Sequence, residues 1–163
     1  MRAKWPAALA LSLLGAAIAM TLSVSRKAEE ASRPSHLCTL QFEGVTLENV
    51  PQATTESQME RGLSGLQDVG PGMLFTWSDD EPRFFWMRGT PTPLSIAFID
   101  ASGTVLQIED MEPETDTFHW ATPKAREGLE VKKGDFQRLG IAPGSRLIAR
   151  KCEAVTQHQK RGM

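Results

Sequence analysis

The sequence predicts a mainly β domain carrying one or two short helices. Three observations predict it. From about residue 37 to residue 152 the apolar residues fall in short alternating or continuous runs, the pattern of strands. Turn clusters such as Glu43-Gly44, "DVGPG" and Pro143-Gly144 separate those runs. Only "TTESQMERGLSGL" and "GDFQRLG" change to helical spacing. The 163 residues, 40% hydrophobic and 23% charged, suit a single globular domain.

The N-terminus is set apart from the domain. Arg2 and Lys4 precede an uncharged run from Trp5 to Ser25 that contains Ala17-Ile18-Ala19. This reads as a signal peptide over residues 1–19. The alternative is an uncleaved membrane anchor extending to about residue 25, flanked by Arg26 and Lys27. Either reading exports the domain to the periplasm or to the outer face of the cytoplasmic membrane. Residues 26–36, "RKAEEASRPSH", are polar and read as a flexible linker. The domain then runs over residues 37–152, and residues 153–163 form a polar tail.

Within the domain, "HLCTLQF" and "VTLENV" read as two strands around Glu43-Gly44. Thr55 followed by Gln58 fits a capping box, and Met59, Leu63 and Leu66 share one helical face. Gly62 and Gly65 keep that helix short. "MLFTW" is a strand and "SDDEP" its turn. In "RFFWM", Phe84 and Trp86 take one face and Phe85 and Met87 the other. Both faces are apolar, which predicts a central strand covered on both sides. "LSIAFID" and "TVLQIED" form a hairpin about Asp100–Gly103. Residues 109–117 read as an acidic loop, and "EGLEV" and "SRLIARKC" as strands.

The chain holds two cysteines, Cys38 and Cys152. In an oxidising compartment two cysteines pair. A Cys38–Cys152 disulfide would tie the first strand of the domain to the last, and two separate buried thiols are the competing reading.

No motif assigns a reaction. The sequence has no G-x-S-x-G elbow, no H-E-x-x-H and no phosphate loop. His119 follows Asp110, Glu112, Glu114 and Asp116, but their spacing lacks the glycine and terminal glutamate of an EF-hand. The stretch reads as a solvated acidic loop, so no metal and no cofactor are expected. A net charge of -2 gives no basic field, and no nucleic-acid partner is expected. A membrane partner enters only through an uncleaved N-terminal segment.

Arg61, where the helical pattern breaks, and Glu130, between Leu129 and Val131, stand out. A glutamate among apolar neighbours either faces water or points inward. Pointing inward, it needs a partner. Arg61 is the natural one, since a guanidinium fork accepts a carboxylate with two hydrogen bonds. The pair is expected to be structural rather than functional.

"RGL" at Arg61, "GMLF" at Gly72, "FWM" at Phe85, "TPTPL", "FIDASGTV" and "LEV" occur in one order. The ordered set resembles the bacterial and archaeal family catalogued as domain of unknown function 192. The resemblance implies a compact antiparallel sandwich, or jelly-roll-like, domain behind a signal peptide. It implies no established activity. Two positions depart from the family pattern. Gly89 stands where the family has Asn after Trp-Met-Lys, and Ser95 where it has Asp after Pro-Leu. Arg61, Trp86, Met87, Thr90 and Glu130 match, and of these Arg61, Trp86, Thr90 and Glu130, with Arg88, are the ligand-binding candidates.

"FFWM" reads as core and "RGTPTP" as a polar bend that can reach a concave rim. Three functions stay open. One is an envelope-associated binding or accessory module for a small molecule or envelope component. Another is an enzyme acting through Glu130 on an envelope substrate such as a saccharide. The third is a structural partner in an envelope complex. A groove of Arg and Trp would favour the first, a pocket around a Glu130 of raised pKa the second, and a large exposed apolar patch the third.

Overall fold

The computed structural model describes residues 23, 25–122 and 124–156. The segment read as a signal peptide or anchor lies outside the described residues except for its last positions, and so does the end of the polar tail. Residues 25–32 are helical where a flexible linker was expected. Lys27, Ala28, Glu29, Glu30 and Ala31 are good helix formers, and Pro34 bars continuation. Arg33 pairs with Glu29 at 3.0 Å, one helical turn away.

From Pro34 onward the chain is mainly β, as the sequence predicts. Its elements are β1 (His36–Phe42), β2 (Val45–Ala53), α1 (Glu56–Arg61), β3 (Met73–Glu81), β4 (Phe84–Phe85), β5 (Leu94–Ile99), β6 (Val105–Met111), β7 (His119–Trp120), β8 (Ala125–Lys132), α2 (Asp135–Leu139) and β9 (Leu147–Ala154). Seven strands form one sheet in the order β6-β5-β8-β3-β2-β1-β9, and β4 and β7 form a separate ribbon. The large sheet is mixed: β2 and β3 run parallel, and the other pairs run antiparallel. A parallel pair needs a crossover, and residues 54–72 with α1 supply it. The capping box starts that crossover: Gln58 donates its backbone N–H to the Thr55 hydroxyl, and the Gln58 side chain accepts from Thr55.

Alternate residues of a strand face opposite sides, and both sides of this sheet are covered. Leu74, Ala97, Ile99, Leu129 and Val131 join Leu40 and Val50 in one core, with Phe136 of α2 against it. Met73, Phe75, Ile96 and Phe98 join Leu63, Phe85 and Met87 in the other. The doubly covered strand is therefore β5, buried at all six positions. The expectation of that role for "RFFWM" is corrected. Its paired part is the two-residue β4, which lies over the sheet, so only one of its faces meets a core. Phe85 and Met87 point in, while Phe84 and Trp86 remain 45% and 37% exposed.

Cys38 and Cys152 are direct partners across β1 and β9 and are joined by a disulfide with S–S 2.06 Å. In the β5–β6 hairpin the Asp100 carboxylate accepts from the backbone N–H groups of Ser102 and Thr104 at 2.8 and 2.9 Å. The sheet curls until Thr104 and Arg146, at the ends of the two edge strands, make a single bridge.

Candidate functional site

One open cleft of about 230 Å³ lies on the outer face of the sheet, and it is lined by all five ligand-binding candidates: Arg61, Trp86, Arg88, Thr90 and Glu130. Two chain segments make its walls. The end of α1 and the following turn carry Arg61 to Ser64, and the bend after β4 carries Trp86 to Thr90. Hydrogen bonds fasten the walls together. The Gly89 carbonyl accepts from the Gly65 N–H at 2.7 Å and from the Ser64 hydroxyl at 3.0 Å. Thr92 donates its hydroxyl to the Gln67 carbonyl at 2.9 Å. The sheet forms the floor, through Phe75 and Trp77 of β3 and Glu130 of β8.

Gly89 explains one departure from the family pattern. Its φ is +67°, and a Cβ there would sit 2.7 Å from the Ser64 hydroxyl. Glycine and asparagine are the residues that enter this left-handed region most readily, so Gly for Asn keeps the bend. The other departure lies elsewhere. Ser95 is buried in β5 and donates to Asp110 at 2.6 Å, and it does not line the cleft. Neither change alters the five candidates.

Glu130 sits mid-sheet, opposite Met73 of β3 and Ile96 of β5. It is 4% exposed. The expected ion pair with Arg61 is corrected: among the described residues no ion pair joins the two, and Arg61 is exposed at the rim. Helix α1 ends at Arg61 itself, so that side chain leaves from the lip of the cleft and Glu130 from its base. Burial raises the Glu130 pKa from 4.5 to about 8. Its carboxyl is thus protonated at neutral pH, able both to donate and to accept a hydrogen bond.

The rule that a buried glutamate recruits an arginine is met three residues away. Glu127 is equally buried, and it is ion-paired with Arg150 of β9. The Thr76 hydroxyl also donates to it at 3.3 Å and itself accepts from Gln52 at 3.1 Å. An odd separation puts Glu127 and Glu130 on opposite faces of β8. One carboxylate therefore meets β9 across the inner face while the other meets the cleft. Alternation along "REGLEV" carried this signal, but the strand order needed to choose the right arginine was not in it.

The exposed face of the β4–β7 ribbon was not foreseen as a surface. Phe84, Trp86, Phe118 and Trp120 form a cluster with ring centroids 4.9 to 6.0 Å apart. Phe84 and Trp86 also line the cleft, so the cluster adjoins it. Arg88 lies over Trp86 at 5.5 Å and pairs with Asp116 at 2.7 Å. Arg83, another wall residue, lies 4.6 Å over Trp77 and pairs with Asp79. His119 pairs with Glu109 at 2.9 Å, which takes both into the ribbon–sheet contact.

Two solved structures are similar in fold. A protein from Sinorhizobium meliloti 1021, described as a "putative transcription regulator", is 29% identical with TM-score 0.63, over 75% of this chain and 95% of that one. A protein of unknown function from Novosphingobium aromaticivorans DSM 12444 is 26% identical with TM-score 0.61, over 72% of this chain and 83% of that one. No curated protein matches the chain. The model of the DUF192 family, described as "Uncharacterized ACR, COG1430", matches residues 39–149. That span contains the cleft and all five candidate residues, and the chain belongs to the DUF192 family.

Proposed function

We propose that this protein is an exported binding module that holds a small molecule in the cleft above Glu130. One observation carries the reading: a buried polar group, Glu130, at the base of an open cleft with aromatic walls and a polar rim. That combination of apolar walls and a few convergent polar groups is how small-molecule sites are built. The volume sits below the usual range of about 300–1,000 Å³ for drug-sized pockets, so the ligand is a small metabolite or the end of a larger molecule. The disulfide supports export, because such bonds persist in oxidising compartments. Thermal-shift screening of polar metabolites tests the binding. Compounds that stabilise the protein should lose that effect in Trp86→Ala and Thr90→Val. Hits that stabilise all three proteins alike would place binding elsewhere. N-terminal sequencing tests the export, and a chain that keeps Met1 in the cytoplasm would overturn it.

Two observations support the other readings. The raised pKa of Glu130 suits a general acid at neutral pH, which favours turnover. Such chemistry needs a second converging group, and among the described residues lining the cleft the other carboxylate is Glu60, exposed at the rim. Product formation from a bound hit, abolished in Glu130→Gln, would decide for an enzyme. The four exposed aromatic rings favour a partner in a complex. Recovery of a defined complex that dissociates on Trp120→Ser, with the cleft still empty of ligands, would decide for that.

A further inference from the structure

We propose that the cleft selects a ligand with an ammonium head, which enters the aromatic walls to meet the Glu130 carboxylate, and an anionic end held at the arginine-bearing rim. This inference rests on the ligand-binding reading above and names the chemistry of its ligand.

Among the described residues none forms an ion pair with Glu130. Its neighbours across the sheet are Met73 and Ile96, and the nearby face carries Gly128, Phe85 and Phe75. The groups that face it across the cleft include Arg61, Arg83, Arg88 and Glu60. Arg83 is directed onto Trp77 and Asp79, and Arg88 onto Trp86 and Asp116. Burial alone then holds the proton on the carboxyl. A buried carboxyl that lacks a cationic partner among the described residues is one that a ligand cation can complete, since opposite charges attract strongly away from water, although desolvating both and releasing the proton offsets part of that attraction.

The walls fit the same head group. Phe75, Trp77, Phe85 and Trp86 surround the approach to Glu130. Aromatic faces attract ammonium groups, and the attraction grows when water is excluded. A neutral polyol could hydrogen-bond the protonated carboxyl but would leave the attraction of the aromatic faces for a cation unused. The rim sets the other end. The rim carries Arg61, Arg83 and Arg88 beside Glu60, with Asp79 and Asp116 paired to Arg83 and Arg88, so guanidinium forks rather than a net positive charge are what receive an anion there. The Arg88–Asp116 pair is exposed on both sides, so it is weak and exchanges readily. An amino acid or another short amino-carboxylate matches both ends.

The test uses the intact disulfide-bonded protein and titration calorimetry at pH 7 in two buffers of different ionisation enthalpy. The probes are ω-amino acids of two to six carbons, glutarate and glucose. At least one ω-amino acid should bind with release of about one proton, since pairing with ammonium strips the proton from Glu130. Glutarate and glucose should not bind. Glu130→Gln, a neutral isostere, should weaken that binding by about tenfold or more while keeping the folded circular-dichroism spectrum. Binding of glucose or glutarate without proton release would overturn the ammonium head yet leave the ligand cleft standing. Failure of every ω-amino acid, when thermal-shift hits still map to Trp86, would overturn it in the same way. No hits and no probe binding would remove both readings.

Discussion

Replacing Glu130 by Gln should stabilise the protein at neutral pH and flatten its pH dependence. The carboxyl pKa is raised from 4.5 to about 8 by burial. A group whose folded pKa lies above its unfolded value gives its full stability below the unfolded pKa. That stability is then lost as pH climbs to the folded pKa. Below pH 4.5 Glu130 is protonated in both states and costs nothing. Between 4.5 and about 8 the unfolded chain releases the proton while the folded one keeps it, and stability falls by about 1.4 kcal/mol per pH unit. The accumulated loss is about 3 kcal/mol at pH 7 and about 4–5 kcal/mol above pH 8. Glutamine keeps the shape of the protonated carboxyl without this loss. Urea unfolding of both proteins from pH 4 to pH 9 measures it, with the disulfide kept oxidised. The difference should grow with pH in favour of the variant. Parallel curves, or a variant less stable at pH 7, would show that Glu130 has a cationic partner and that its burial is not uncompensated.

The opposite sign is expected on the other face of β8. Arg150→Met strands the Glu127 carboxylate and should cost about 2–3 kcal/mol in urea unfolding, below the 3–5 of a fully buried pair because Arg150 is partly exposed. Adding Glu127→Gln to that variant should recover part of the loss. Reduction of Cys38–Cys152 opens a loop spanning 114 positions, for which the chain-entropy model gives about 4–5 kcal/mol. Calorimetry with and without reductant should show a lower melting temperature of the reduced form, and thiol titration of unreduced, unfolded protein should find no free cysteine. Gly72→Ala should fail to fold or lose at least about 3 kcal/mol, since φ is +90° and a Cβ would lie 1.9 Å from the Glu130 carbonyl oxygen.

Local chemistry was readable in the sequence wherever neighbours along the chain decide it. The Thr55 capping box, the Asp100–Gly103 hairpin and the short helix of "GDFQRL" are such cases. The broken helical pattern and strand alternation brought Arg61 and Glu130 to attention, matching motifs added Trp86 and Thr90, and the structure gathers all four in one cleft. What failed depended on strand order. Whether Glu130 meets Arg61 and whether Glu127 meets Arg150 turns on which elements lie over β8. Alternation tells only that the two glutamates part company. "RFFWM" misled for the same reason: two apolar faces fit a central strand, but they fit equally a ribbon that packs one face and displays the other. The polar stretch before Pro34 misled differently, because low hydrophobicity was given more weight than helix propensity.

The place of β9 sets an order of assembly. Its partner is β1, and the register joins His36 to Ala154, so this edge strand emerges from the ribosome after every other strand of the sheet. A nascent chain can form the β1–β2 hairpin early and build the β5–β8 region next. It must then wait for residues 147–154 before one edge of the sheet is covered. During that wait β1 presents an open edge with an unoxidised Cys38 upon it, the kind of surface that invites pairing with another chain. Long-range closure of this sort also slows folding. A thiol trap added during synthesis should therefore capture Cys38 on chains that have not yet released residues 147–154, and any foldase that protects this protein has work at that open edge.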